Sequence, residues 1–198
     1  VLRVCQSQAA PKAVIPASTP KASLDRVTKA IKRAKLDDAV VLVGVRGYYR
    51  DTMGKPGQND RGIYDDALFI VSPTHFTAWN ANTDPSAFRP GIASLVPGVH
   101  RYRKGNHGIT RPGGGYPAFR PATKNEELPV TRDGVVNPRP GVAINIHRGG
   151  RNGTSSEGCQ TVPPSQWAAF YAALSGEMKR HGVTTFPYLL VSEADFPA

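Results

Sequence analysis

Two side chains in this sequence have the chemistry of a nucleophile and its base. His147 and Cys159 are separated by the eleven residues Arg148 to Gly158. A thiol is mostly protonated at neutral pH, and its thiolate is the reactive form. A neighbouring imidazole can take that proton, or stabilise the anion once protonated. Gly158, just before the cysteine, lets the backbone turn sharply there. Amides near Gly158 and Cys159 are then the expected holders of an oxyanion. Asn145, Ser156, Glu157 and His107 are the candidate substrate-contacting residues. A second chemistry is open to the same groups. His100, His107, His147 and Cys159 are zinc-type ligands, although no short His-x-x-x-His pairing joins them.

The stretch 141–161 must bring these groups together. Val142, Ile144 and Ile146 alternate with Ala143, Asn145 and His147, which predicts a strand ending at His147. Glycines and small polar residues follow, and they predict a loop that returns Cys159 to the histidine. The strand-end His147 and the run Ser156-Glu157-Gly158-Cys159 resemble the L,D-transpeptidase (YkuD-type) catalytic domain, in a short-loop and phage-like variant. That family carries His, a loop, then Ser/Thr-His-Gly-Cys and an Asn or Arg two residues on. Here Glu157 stands in place of the second His, and Thr161 in place of the Asn or Arg. The resemblance covers residues 141–161 and, more loosely, the sheet leading into them. It implies a Cys159 acyl-enzyme formed on a peptidoglycan stem peptide, with transpeptidation or hydrolysis to follow. It also implies a carbonyl of Arg148 or Gly149 orienting the imidazole. A periplasmic, cell-envelope, virion-associated or secreted location would follow from that substrate.

Composition bounds the fold. With 198 residues, the expectation is a tail or linker over 1–22 and one catalytic domain over 23–198. Twenty glycines and 18 prolines suit short strands and many turns. The expected class is mostly β with two or three helices (α+β), an L,D-transpeptidase-like β-sandwich or barrel. A net charge of +10 favours anionic partners, which are nucleic acid, an anionic membrane surface or bacterial wall polymers; anionic wall polymers are kept beside the stem peptide. No helix-turn-helix, zinc-finger or RNA-recognition signature is visible, so nucleic acid is not expected. No apolar run approaches a membrane span, and no signal-peptide pattern opens the sequence. The start at Val1 leaves room for a removed leader or upstream domain. No cofactor or metal is expected, and no Cys5–Cys159 bridge. The competing readings are a non-catalytic basic module for wall polymer or nucleic acid, and a His/Cys zinc-site hydrolase.

The remaining elements follow from periodicity. Val1–Val4 reads as a short strand. Ser23 reads as the N-cap of a helix with Leu24, Val27, Ile31 and Ala34 on its apolar face. Strands are predicted over 39–49, 67–71, 75–79 and 99–103, with irregular chain over 81–98. His107 is placed in an exposed glycine-flanked turn, and Tyr116 in a flexible loop within 109–127. Asp133-Gly134 predicts a hairpin between Leu128–Thr131 and Val135-Val136. A helix starts at Pro163 or Pro164, buries Trp167, Phe170, Tyr171, Leu174 and Met178, and stops at Gly182. A last strand covers 183–191, and Pro187 predicts an edge or bulge there.

Overall fold

Alternation along one strand organises the core of the computed structural model, which describes residues 14–198. In β1 (Val41–Arg46), Val41, Val43 and Val45 pack beneath α1 (Leu24–Arg33) through Val27, Ala30 and Ile31. Leu42 faces the other way, with Val40, into a second cluster built on α2 (Pro164–Arg180). A strand buried on both faces reads as a continuous apolar run, which is why 40–45 carries no polar residue. The Ser23 side chain accepts from the Arg26 N–H and starts α1 as expected. Leu24 lies outside the apolar stripe and is exposed. In α2 the buried stripe is Trp167, Phe170, Leu174 and Met178, with Tyr171 at its margin.

The fold is mostly β with two α-helices. The large sheet adds β2 (Asp66–Ser72), β3 (His75–Ala81), β5 (Gly98–His107), β6 (Tyr116–Pro121), β9 (Ile146–Arg148), β10 (Gln160–Val162) and β11 (Thr185–Ser192). Its order is β10-β9-β6-β5-β11-β1-β2-β3, and a bridge between Asn82 and Thr161 brings its two edges together. The sheet is thereby almost a barrel. A small sheet of β4 (Ala93–Leu95), β7 (Glu127–Arg132) and β8 (Val135–Val142) sits beside it. The 14–22 segment runs against the domain: Ser18 O accepts from Asn80 Nδ2, and Lys21 N donates to Tyr48 Oη. Val1–Val4 and Cys5 lie outside the described residues.

Several expectations need correction. The predicted strand 142–147 is two strands in two sheets. Ala143 takes φ +53° and breaks the run, so Val142 ends β8 exposed while Ile146 starts β9 buried. The first strand ends at Arg46, because Gly47 turns the chain with φ +74°. The irregular 81–98 segment contains β4, and the 109–127 loop contains β6. Two prolines, Pro117 and Pro121, disguised β6 as a loop. Pro187 lies in a central strand, not at an edge. It is tolerated because pairing with β1 begins only at Tyr188, so no β1 residue pairs with position 187.

Candidate active site

The parallel pair β9–β10 brings histidine and cysteine together. Gln160 lies opposite Ile146 and Thr161 opposite His147, so Cys159 enters β10 beside Asn145. The connecting loop is held by specific bonds. Tyr64 Oη donates to Gly150 O (2.8 Å), Ser86 Oγ accepts from Ser156 N (2.7 Å), and Ser86 N donates to Ser156 O (2.8 Å). Gly158 has φ +128°, and a Cβ there would lie 2.7 Å from Ala93 O. Glycine is therefore required on both conformational and steric grounds. A second glycine acts from a distance. Gly44 leaves room for the Tyr188 ring, since a Cβ would meet Tyr188 Oη at 2.3 Å. Tyr188 Oη then donates to Gln160 Oε1 (2.9 Å), and Gln160 Nε2 donates to Gly158 O (3.1 Å). The core thus grips the turn before Cys159 from beneath.

One donor atom each from His107, His147 and Cys159 lies within 4.8 Å of the others. The two imidazole rings stack with centroids 3.8 Å apart and 17° between planes. His147 Nδ1 faces Arg148 O at 2.8 Å, which fixes a tautomer with the proton on Nδ1 and a free Nε2. The carbonyl expected to orient the imidazole is thus that of Arg148. Tyr116 Oη lies 3.0 Å from the same Nδ1 and 3.2 Å from Arg148 O. The Cys159 Sγ accepts from Asn145 N at 3.4 Å and approaches Ala143 O at 3.8 Å. Cys159 is a free thiol and is partly exposed.

Electrostatics keep the pair neutral at rest. Burial pushes the Cys159 thiol up to about 11, with the Glu157 carboxylate adding to the rise and the Asn145 N–H opposing it. Burial also pulls His147 down to about 3, helped by neighbouring His107 and opposed by the Arg148 carbonyl. Burial lowers His107 as well, with Arg111 and Arg120 reinforcing it. This is a thiol beside a neutral base, not a preformed thiolate–imidazolium pair.

The other expected site residues divide. His107 is not in a solvated turn; β5 continues through Gly105 and carries it onto His147. Asn145 is buried, and its Nδ2 lies 3.1 Å from His107 Nδ1, so it positions the cluster. Ser156 is turned inward, contrary to a substrate-contacting role. Its Oγ donates to Cys159 O (2.7 Å) and accepts from Gly158 N (3.1 Å), closing the tight turn. That bond also occupies the Gly158 N–H. The Cys159 N–H has no acceptor among the described residues. Glu157 is exposed and pairs with Arg89 at 2.7 Å. His100 is remote from the cluster, held at the other end of β5 by Val96 O at 2.8 Å. Tyr116 lies in β6, which its prolines hide from sequence pattern, so no local signal points to its place beside His147.

A cavity of 240 Å³ opens beside the turn before Cys159, lined by Arg89, Ala93, Arg132, Val142, Ile144 and Glu157 among others. A larger one, 650 Å³, lies along Phe88–Ser94 and includes Arg46, Arg61 and Asp84. No helix among the described residues is long and apolar enough to cross a membrane. No protein-family model matches the chain, and no curated protein matches it.

Proposed function

We propose that the protein is a cysteine acyl-transfer enzyme of the L,D-transpeptidase type acting on peptidoglycan stem peptides. The observation that carries this reading is the meeting of Cys159 Sγ with a neutral, carbonyl-anchored His147 at the ends of two parallel strands. On substrate arrival, His147 Nε2 takes the thiol proton as sulfur attacks the peptide carbonyl. The Cys159 N–H receives the oxyanion. The C–N bond then breaks, the proton passes from His147 to the leaving amine, and a thioester remains. An amine or water attacks that thioester, restoring the thiol. His107, with Asn145 Nδ2 against its Nδ1, presents an N–H at Nε2 to the bound peptide. The cavity beside the turn, lined by Arg89, Arg132 and Glu157, is the proposed seat of the peptide, with Arg132 and the net charge of +10 favouring an acidic one.

The test is digestion of defined muropeptides, with products read by mass. Cys159→Ala should lower turnover by about a thousandfold or more, with an unchanged circular dichroism spectrum. Undiminished turnover in that variant rejects the reading. The products also separate transfer to an amine from hydrolysis.

A further inference from the structure

Beyond its role as nucleophile and base, the same cluster has the composition of a soft-metal site. We infer that His107, His147 and Cys159 bind a single Zn²⁺ that ties up the thiol, so that zinc switches the site off. The switching consequence rests on the acyl-transfer reading; the binding does not.

Three observations converge. First, the donors are two imidazoles and one thiol, all within 4.8 Å of one another. This set suits zinc and other soft or borderline ions, and is poor for Mg²⁺ or Ca²⁺, which want oxygen. Zinc bond lengths of about 2.0–2.3 Å place tetrahedral ligands roughly 3.3–3.8 Å apart. Reaching that spacing draws the donors in by about 1 Å, and because the rings lie only 17° from parallel, the His107 ring must also rotate out of the stack by tens of degrees to aim its lone pair at the ion. Three protein ligands leave one position for water.

Second, the His147 ring is already held as a zinc ligand would be. Its Nδ1–H donates to Arg148 O, and Nε2 is left to bind.

Third, Asn145 carries the means to do the same for His107. Its side chain is 3% exposed, and its Oδ1 is buried with no hydrogen-bond partner. Its Nδ2 lies 3.1 Å from His107 Nδ1. Turning the amide over puts Oδ1 against that nitrogen. His107 then donates from Nδ1 and offers the Nε2 lone pair, and the orphaned oxygen is satisfied. One amide rotation therefore converts His107 from a donor toward substrate into a metal ligand. On binding, the Cys159 thiol releases its proton to solvent and the Zn–S bond forms.

The experiment uses the full chain, reduced and freed of metal by a chelator. Zn²⁺ is titrated against a competing chromophoric chelator, and Co²⁺ serves as the spectroscopic probe. The expected result is one ion per chain and a near-ultraviolet sulfur-to-cobalt charge-transfer band. Cys159→Ser should abolish the band. His107→Ala should weaken Zn²⁺ binding about a hundredfold, and Asn145→Ala about tenfold. Bound Zn²⁺ should slow alkylation of Cys159 in the unsubstituted protein at least tenfold, which needs no variant to fold. Absence of binding, or binding that survives both Cys159→Ser and His107→Ala unchanged, overturns the site. Turnover persisting at saturating Zn²⁺ overturns the switch. Muropeptide turnover without Zn²⁺ binding removes this inference alone. Zn²⁺ binding by a chain that shows no turnover after chelation removes the enzymatic reading alone.

Discussion

Two polar knots are buried in this molecule, and they are built on opposite plans. Around Asp84, every charge meets a charge or a backbone dipole. Asp84 Oδ1 takes Arg61 Nη1 at 2.6 Å and Arg46 Nε at 3.2 Å. Asp66 accepts from Gly47 N and Thr83 N, each at 2.5 Å, and Arg46 also donates to Thr83 O and Leu95 O. Around Cys159, the groups are neutral and their strongest bonds are spent only on orientation. The sulfur keeps only long contacts, with Asn145 N at 3.4 Å and Ala143 O at 3.8 Å, and the His147 Nε2 is left free. A knot built on shared ion pairs and backbone dipoles holds strands in place; one of neutral groups with a free ring nitrogen can exchange a proton or take a ligand.

This contrast breaks most sharply at Asp84. Asp84→Ala leaves two arginines without their shared buried partner, and should cost about 3–5 kcal/mol of stability. Urea unfolding measures it, and turnover per folded molecule should be retained. A cost near zero would mean that the two knots do not differ as described.

Gly158→Ala probes the other knot. Its φ of +128° and the 2.7 Å approach to Ala93 O force the turn to move. Stability should fall by about 1–3 kcal/mol, and muropeptide turnover by about a hundredfold. Unlike Asp84→Ala, this variant should lose activity in the molecules that remain folded. Equal activity per folded molecule would separate the turn from the chemistry.

In pH dependence the knots act with opposite signs. The folded His147 resists protonation down to about 3, because it is buried. The unfolded histidine takes its proton near 6.5. Stability therefore falls as pH drops from about 6.5 to about 3. Asp65 is shifted the other way: burial and then neighbouring Asp66 raise its carboxyl above the usual range. The folded carboxyl keeps its proton where the unfolded one has lost it, so stability falls as pH rises above about 4. Urea titrations at pH 4 and pH 7 should show His147→Gln reducing the acid-side loss and Asp65→Asn reducing the loss on the neutral side. Parallel responses in the two variants would refute the assignment.

Local pattern made much of the fold legible. The cap at Ser23, the stripe from Trp167 to Met178, the Asp133-Gly134 turn and the paired runs around 67–71 and 75–79 all depend on neighbours a few residues apart. Where two sheets compete for one stretch, the pattern misled. Residues 142–147 alternate cleanly, yet Ala143 hands the chain from the small sheet to the large one. Both Asn145 and His147 are then buried beside Ile144 and Ile146, so alternation ceased to report which face meets solvent.

The sequence by itself singled out His147 and Cys159 as a candidate pair, and the glycine that shapes the turn between them, because residue type and short spacing carry that signal. Only the tertiary structure decided the company they keep. His107 arrives from β5 and Tyr116 from β6, across hydrogen-bonded ladders that no local window contains. It also decided that Ser156 supports the turn rather than a substrate, and that the thiol and imidazole rest uncharged. Strand order and burial are set by long-range pairing and by exclusion of water, and neither is encoded in the spacing of two residues.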